Sequence, residues 1–332
     1  MKKIILFILV SFAILGCDED EEPKKRIFFN SSIEKSTKAS VLNNTQLGTL
    51  GFGVLCYAKI NGSFDSTTDA PNYYYNIRVY NNAGVWQTAT NLYWPESTND
   101  KVSFVTYAPY ATVDNGITLS PITQVGFPKI SYFSNNIDIT KQIDFCYAPP
   151  QLNKTKLDGT ISFGFKHALT KLSFSAKNYY DYDTVIGYKV KSIRLTNIKT
   201  KGDITLNSSP HWTPSNSALD SGSYYLNIAN NTLRNIKLNL DFQLLNQDNA
   251  YLMLVPQIFD ALNTKLEVSL TDLNGVDIKT TYISLSTLGI SQFTMEQNIS
   301  IRLIIIAGNV YASIQTLPWN TYSSPETTIG KK

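Results

Sequence analysis

The side chains that could carry chemistry are few, because this chain of 332 residues has two histidines and three cysteines. His167 lies in a strand-like pattern before Ala168-Leu169, and His211 stands beside Trp212 in a loop-like segment. We can assemble no Ser–His–Asp or Cys–His constellation around His167, so we expect it to be structural and to donate to the backbone. The sequence contains no paired-carboxylate motif, P-loop, calcium loop or HExxH motif. We therefore predict that the protein is not an enzyme and needs no cofactor.

Cys17 is the cysteine whose surroundings indicate a reaction. Lys2-Lys3 precedes a 13-residue apolar stretch, Ile4 to Gly16, that one serine interrupts. The stretch is shorter than the roughly 20 residues of a membrane-spanning helix, so it predicts a signal peptide over residues 1–16. Its end, Ile14-Leu15-Gly16-Cys17, resembles the lipobox of bacterial lipoproteins. The resemblance implies cleavage between Gly16 and Cys17 and lipid on Cys17, with an ordinary secretory leader or a short membrane anchor as the alternatives.

Five acidic residues follow Cys17 directly: Asp18, Glu19, Asp20, Glu21 and Glu22. Such a run of like charges is typical of a solvated tether. It also resembles the export signal that sends lipoproteins of Bacteroidota to the outer face of the outer membrane. We therefore expect a protein that is held to outer-membrane lipid through Cys17 and is exposed on the cell surface.

Cys56 and Cys146 each lie in an apolar, strand-like segment. An oxidising cell envelope permits a disulfide between them. Two separate buried cysteines are at least as consistent with the sequence, because free cysteine is among the most buried residue types. Neither belongs to a CxxC motif or a Cys/His cluster, so the sequence predicts no metal site.

The charge balance argues against nucleic acid as a partner. The chain has 29 Lys and Arg against 26 Asp and Glu, a net charge of +3. Without Lys2 and Lys3, which the signal peptide removes, 27 basic residues face 26 acidic ones and the net charge is +1. Nucleic-acid binding domains carry a clear excess of basic residues.

Alternation of apolar and polar residues recurs along the chain beyond the leader. Leu266, Val268 and Leu270, for example, alternate with Glu267 and Ser269. A period of two places one face of a strand on a core and the other in water. Asn, Gly, Pro and Asp turns separate these runs, and no later stretch keeps a helical period for three turns. The sequence thus predicts an all-β protein built from antiparallel sandwiches.

One segment has the composition of a linker between two domains. Pro149-Pro150, which cannot donate amide hydrogens to a sheet, is followed by a polar run to residue 159. We place the boundary near residue 152. Residues 17–38 then hold the tether and a first strand, residues 39–152 form an N-terminal sandwich and residues 153–332 a C-terminal one.

Several segments, taken in order, resemble the fimbrillin family of Bacteroidota. They are Tyr93-Trp94-Pro95, residues 102–110 (VSFVTYAPY), residues 163–174 (FGFKHALTKLSF), Leu254-Val255-Pro256-Gln257, and the pattern around Gly289, Phe293-Thr294-Met295 and Trp319. The resemblance implies two transthyretin-like, Ig-like β-sandwich domains on the outer membrane. It also implies a role in fimbriae or adhesion, with other fimbrial subunits as partners.

The same resemblance draws attention to the segment before the first domain. In polymerising members, a trypsin-like protease cuts after a basic residue and removes the first strand, and a strand of another subunit fills the groove. Arg26 to Ile33 could be that strand here, and Lys38-Ala39 stands where relatives often carry Arg-Ala. An Arg-specific protease would not cut at Lys38, and a cut after Arg26 would spare the strand. The alternative is that the segment stays in place and caps its own sheet.

The tail after Trp319 argues against a stalk subunit. Its sizeable apolar side chains are Tyr322 and Ile329, and Pro325 interrupts it, whereas a donor strand needs alternating pocket-filling residues. We therefore expect an accessory, anchor or adhesin component of fimbriae.

A second function is left open by Tyr73, Tyr74 and Tyr75, which could form a stacking platform for a sugar. On that hypothesis the protein is a surface lipoprotein that binds a glycan, or a protein, of a host or bacterial surface and does not polymerise.

Overall fold

The computed structural model describes residues 24–33, 42–179, 187–228, 242–245, 251–260 and 262–319. The lipidation site Gly16-Cys17, the acidic run Asp18 to Glu22, and Lys38-Ala39 lie outside the described residues.

Strands dominate the described chain, and we number them in chain order. The first nine are β1 (Phe29–Ile33), β2 (Phe52–Lys59), β3 (Tyr74–Asn82), β4 (Val85–Thr88), β5 (Lys101–Ala108), β6 (Ile117–Leu119), β7 (Lys129–Phe133), β8 (Cys146–Lys154) and β9 (Ile161–His167). The others are β10 (Thr170–Tyr179), β11 (Tyr188–Lys199), β12 (Lys201–Thr205), β13 (Trp212–Pro214), β14 (Ser221–Asn227), β15 (Gln243–Leu244), β16 (Leu252–Leu254), β17 (Gln257–Ile258), β18 (Lys265–Asp272), β19 (Asp277–Ser284), β20 (Gln292–Phe293), β21 (Asn298–Ile306) and β22 (Asn309–Leu317). The prediction of an all-β protein is confirmed.

Helical structure is confined to short pieces in the part of the chain described. The α-helix α1 (Asn44–Leu50) is capped at its N-terminus by Asn43. The Asn43 side chain accepts a hydrogen bond from the Gln46 backbone amide in a capping box. Turns of 3₁₀-helix cover Ile139–Lys141, Ala218–Asp220 and Leu285–Leu288. No helix in the described ranges is long and apolar enough to cross a membrane.

The first sheet has seven strands in the order β1-β9-β8-β5-β2-β3-β4. Its central strands β2 and β5 are buried on both faces, which is why β2 is apolar from Phe52 to Ala58 and why β5 does not alternate regularly between apolar and polar residues. The core on one face includes side chains of the edge strand β1, of α1 and of Trp94. The other face packs against a four-stranded sheet, β13-β12-β7-β6, through Tyr107, Ile130 and Ile204.

The second half of the chain forms two further sheets that share one core. Strands β15-β10-β21-β22, with β16 beside β10, make one sheet, and β14-β11-β18-β19 make the other. Inward-facing residues of both sheets, such as Leu172, Val268 and Ile301, are buried in that core. In the described chain β1 pairs with β9 in parallel and β10 pairs with β21 in parallel, while the other strand pairs are antiparallel.

Pro149 and Pro150 do not end a strand, contrary to the expectation from sequence. They lie within β8, whose pairing with β5 shifts in register between Thr106 opposite Ala148 and Phe104 opposite Gln151. The shift is an irregularity of the bulge type, which accommodates residues that cannot donate an amide hydrogen to the ladder. Residue 152 also lies within β8, and β9 follows in the same sheet. The division of the chain into domains at residue 152 stays a prediction.

Candidate functional site

β1 belongs to the segment that the sequence suggests as a removable first strand, and it lies at an edge of the first sheet. It pairs in parallel with β9, so that Phe29 is opposite Ile161 and Ile33 is opposite Phe165. The Ile161 amide donates to the Phe28 carbonyl at 2.8 Å. β9 alternates between buried and exposed residues, and its buried face continues the core that receives β1.

The chain just before β1 is held on its other side by residues 92–94. Arg26 forms an antiparallel bridge with Tyr93, and the Ile27 amide donates to the Leu92 carbonyl at 2.8 Å. The Trp94 amide donates to the Lys25 carbonyl at 2.9 Å. Residues 25–33 are therefore inserted between β9 and the segment that carries the Tyr93-Trp94-Pro95 passage.

The side chains of this segment divide between core and solvent. Ile27, Phe29 and Ile33 are buried, whereas the Phe28 ring is 49% exposed and lies under the Arg26 guanidinium at 5.3 Å. The Phe29 ring lies 5.9 Å from that of Phe104, edge to face. Each buried side chain contributes about 1.5–3 kcal/mol to the stability of the strand in its groove. The groove is thus an apolar site that β1 fills in cis.

The three tyrosines of the glycan hypothesis do not share one surface. Tyr73 and Tyr74, with ring centroids 4.5 Å apart, pack against the core that holds β1, and Tyr75 packs against the core on the opposite face of the sheet. The Tyr73 hydroxyl donates to the Tyr93 carbonyl at 2.7 Å, and the Tyr75 hydroxyl donates to the Ser120 carbonyl at 2.6 Å. Each ring is half-buried. Their role in glycan binding stays a prediction.

Cys56 and Cys146 are both buried and form no disulfide among the described residues. Burial raises the pKa of the Cys56 thiol. Burial, together with the charges of Asp144 and Glu296, raises the pKa of the Cys146 thiol as well. Both are therefore protonated side chains of the core, in agreement with the second of the two sequence interpretations.

A cluster of Asp144, Cys146 and His167 contradicts the expectation that no Cys–His constellation surrounds His167. His167 Nδ1 lies 2.7 Å from Asp144 Oδ2 and 3.4 Å from Cys146 Sγ, and the three side chains are buried. Cys146 on β8 is directly opposite His167 on β9. The sequence could not show this, because strand register brings together residues that are separated by 21 positions.

The cluster adjoins a second buried group built from Lys171 and Trp319. The Trp319 ring stacks on the His167 ring with centroids 4.5 Å apart, and Lys171 Nζ donates to the Trp319 carbonyl at 2.5 Å. The ammonium also lies 5.0 Å from the centre of the Tyr251 ring. Burial lowers the pKa of Lys171 to about 8, an effect that the charge of Asp144 opposes.

A model of the fimbrillin-like family matches residues 37–330 of the chain. The chain belongs to the fimbrillin-like family. The family match covers the passages whose resemblance the sequence suggested. In this fimbrillin-like protein the passage over residues 163–174 contributes both His167 and Lys171, which meet Trp319 in the fold.

Solved structures share the fold of this fimbrillin-like protein. A fimbrial protein from Bacteroides vulgatus has a TM-score of 0.68 and 17% identity, with 88% of this chain and 99% of that chain covered. A proposed cell adhesion protein from Bacteroides ovatus has a TM-score of 0.57 and 15% identity, covering 91% and 100% of the two chains. One from Bacteroides uniformis has a TM-score of 0.56 and 15% identity, covering 89% and 99%. A search among curated proteins found no match.

Proposed function

We propose that this fimbrillin-like protein is a non-catalytic outer-membrane lipoprotein that serves as an accessory, anchor or adhesin component of fimbriae. Family membership supports a fimbrial role, and proteins of the same fold are a fimbrial protein and two proposed cell adhesion proteins. Its partners are outer-membrane lipid and other fimbrial subunits.

The observation that carries the proposal is the placement of β1. β1 lies at a sheet edge, and Ile27, Phe29 and Ile33, in the strand or just before it, are buried. The groove that they fill could also be filled by an equivalent strand of another subunit. The groove is closed while β1 stays. A chain that keeps β1 can receive no strand there, and this suits a subunit that ends or anchors a fimbria better than one that repeats along it.

Two positions decide whether β1 stays. A cut after Arg26 would leave Phe29–Ile33 attached to the rest of the chain, because Arg26 precedes β1. A cut after Lys38 would release the strand, but needs a protease that accepts lysine. We therefore propose that β1 is retained in the mature protein.

The anchor is proposed from the sequence. Lipid on Cys17 contributes about 0.8 kcal/mol per buried CH₂ group, so two or three chains hold the protein to the membrane durably. The acidic run Asp18 to Glu22 serves as a solvated tether between lipid and domain, and also as the signal that exports the protein to the cell surface. A protein placed in this way meets both neighbouring cells and fimbrial subunits.

The mass of the protein taken from cells tests the proposal. We expect a chain that begins at lipidated Cys17 and includes β1, and that co-purifies with fimbriae when these are extracted together with the outer membrane of the same cells. A chain that begins at Ala39 would overturn the anchored, strand-retaining role. A full-length lipidated chain that never accompanies fimbriae would overturn the fimbrial role and favour the glycan-binding alternative.

A further inference from the structure

We propose that Asp144, Cys146 and His167 form a binding site for one Zn²⁺ ion or a similar thiophilic divalent cation. This site is independent of the proposed fimbrial function. It lies where the first sheet, through β8 and β9, meets the Lys171–Trp319 group of the second half of the chain.

The separations of the three ligand atoms fit a cation. Asp144 Oδ2, Cys146 Sγ and His167 Nδ1 all lie within 4.8 Å of one another. Their separations of 2.7, 3.4 and 4.0 Å lie around the ~3.3–3.5 Å that separates neighbouring ligand atoms in a tetrahedral zinc site, so movements of about half an ångström would place all three at zinc–ligand distance from one point between them. An ion at that point would replace the hydrogen bond between His167 and Asp144.

The donor atoms select the kind of cation. Sulfur and imidazole nitrogen are typical ligands of zinc, whereas calcium and magnesium prefer sets of oxygens. When it binds, the ion displaces the thiol proton, so that a thiolate and a carboxylate together balance two positive charges. Such a neutral group is compatible with a buried site.

Two further observations point to a ligand. Asp144 Oδ1 is buried and has no hydrogen-bond partner within the described residues, so the second oxygen of this carboxylate can serve as a fourth donor atom. The Leu42 amide donates to Asp144 Oδ2 at 3.0 Å and holds the carboxylate in place. Burial of all three side chains keeps water from competing for the ion.

The same geometry argues against a Cys–His–Asp catalytic triad. In such a triad the two ring nitrogens act separately, one toward the nucleophile and one toward the carboxylate. Here Nδ1 faces both Cys146 and Asp144, while the His167 ring stacks on Trp319 and its Nε2 has no partner among the described residues. Three groups that converge on one point suit an ion better than proton transfer.

The test uses the full mature chain, purified without a metal-affinity step, stripped with a chelator and then loaded with zinc or cobalt. We expect one equivalent of tightly bound zinc by mass spectrometry of the metal. With Co²⁺ we expect a thiolate-to-metal absorption band in the near ultraviolet. Zinc should also raise the melting temperature of the protein.

Cys56→Ser is the matched control, because Cys56 is equally buried in the same sheet but lies outside the cluster. Cys146→Ser should abolish the cobalt band and lower zinc affinity at least tenfold, whereas Cys56→Ser should keep both. Should a serine variant fail to fold, Cys146→Ala and His167→Gln give the same comparison. A wild-type chain that binds no zinc and shows no cobalt band would overturn the proposal, as would equal binding by Cys146→Ser.

Discussion

Phe28 and Phe29 are adjacent phenylalanines whose side chains point to opposite sides of the chain at the start of β1. Phe29 is 6% exposed and Phe28 is 49% exposed. We expect Phe29→Ala to lower the free energy of unfolding by about 3–5 kcal/mol, because it leaves a cavity beside Phe104 and Phe163. Phe28→Ala should lower it by less than about 1 kcal/mol. Urea denaturation of the two variants measures the difference, and equal losses would contradict the placement of β1.

The tyrosines offer a second test at this scale. Because Tyr73 and Tyr74 pack on the core and the Tyr73 hydroxyl holds the Tyr93 carbonyl, we expect Tyr73→Ala to lower the free energy of unfolding by about 1–3 kcal/mol. A glycan array probed with the triple variant of Tyr73, Tyr74 and Tyr75 then separates the two functions. Loss of glycan binding at an unchanged melting temperature would favour the sugar platform and contradict the structural role.

Lys171 gives a pH dependence whose sign follows from its burial. Its pKa is lowered from 10.5 to about 8 in the folded protein, with the Asp144 carboxylate and the Tyr251 and Trp319 rings as neighbours. Between these values Lys171 binds more protons in the unfolded chain than in the folded one, so this residue makes the free energy of unfolding rise with pH. Lys171 alone contributes a rise on the order of 2 kcal/mol up to about pH 10. The thiols of Cys56 and Cys146 oppose this rise above about pH 8.5, because burial raises their pKa values and the unfolded chain loses those protons first. Unfolded tyrosines add to the opposition from about pH 10.

Chemical denaturation of metal-free protein at several pH values measures this slope. Lys171→Met should make the change of unfolding free energy between about pH 8 and 10 less positive than in the parent protein, since methionine keeps much of the side-chain length but does not titrate. A slope that is unchanged in the variant would assign the effect to another group.

The burial of the cysteines could be predicted from the sequence, but the contact between Cys146 and His167 could not. The burial of Cys56 and Cys146 followed from their apolar surroundings. The meeting of Cys146 with His167 did not, because it depends on which residues stand opposite each other in β8 and β9. The register between two strands is set by the packing of the whole sheet, and it cannot be read from the number of residues that separate Cys146 and His167 along the chain.

At the scale of elements, β1 is the strand whose removal should matter most. We expect a chain without residues 27–33 to self-associate, because the loss opens an apolar groove beside β9 and leaves its backbone groups without a neighbour. Sedimentation velocity of this truncation beside the full mature chain measures the effect. A synthetic peptide of residues 25–33 should return the truncation to a monomer, whereas the same peptide with Phe29→Ser should not.

A truncation that remains monomeric and melts with the parent would show that the segment stabilises nothing. Strand exchange at this groove would then be excluded as well.

The fold class and several strands could be predicted, and the exceptions have physical reasons. Alternating strands such as β9 and β18 are recognisable because one face meets the core and the other meets water. The continuation of β8 through Pro149-Pro150 was missed, because the register shift in its pairing with β5 cannot be read from the prolines. The parallel pairing of β1 with β9 was missed for the same reason, since a strand pattern carries no direction.

At the scale of the whole molecule, the anchor can be tested in cells. Cys17→Ala should move the protein from the membrane fraction to the soluble fraction, because lipid is the proposed attachment. Replacing Asp18 to Glu22 by alanine should keep the protein in membranes but protect it from protease added to intact cells. Complete digestion of this alanine variant from intact cells would contradict the export role of the acidic run, and Cys17→Ala protein that stays in membranes would contradict the anchor.

The contact between Lys171 and Trp319 joins residues that are 148 positions apart. At synthesis rates of ~5–20 residues per second, about 7–30 s separate the appearance of these two residues. Until residues 298–306 are made β10 lacks its parallel neighbour β21, and until Trp319 is made Lys171 lacks the ring that covers it. The core of the second half of the chain is therefore completed late. A factor that binds unpaired strands of the growing chain would have the most time to bind this half while residues 172–319 are being made.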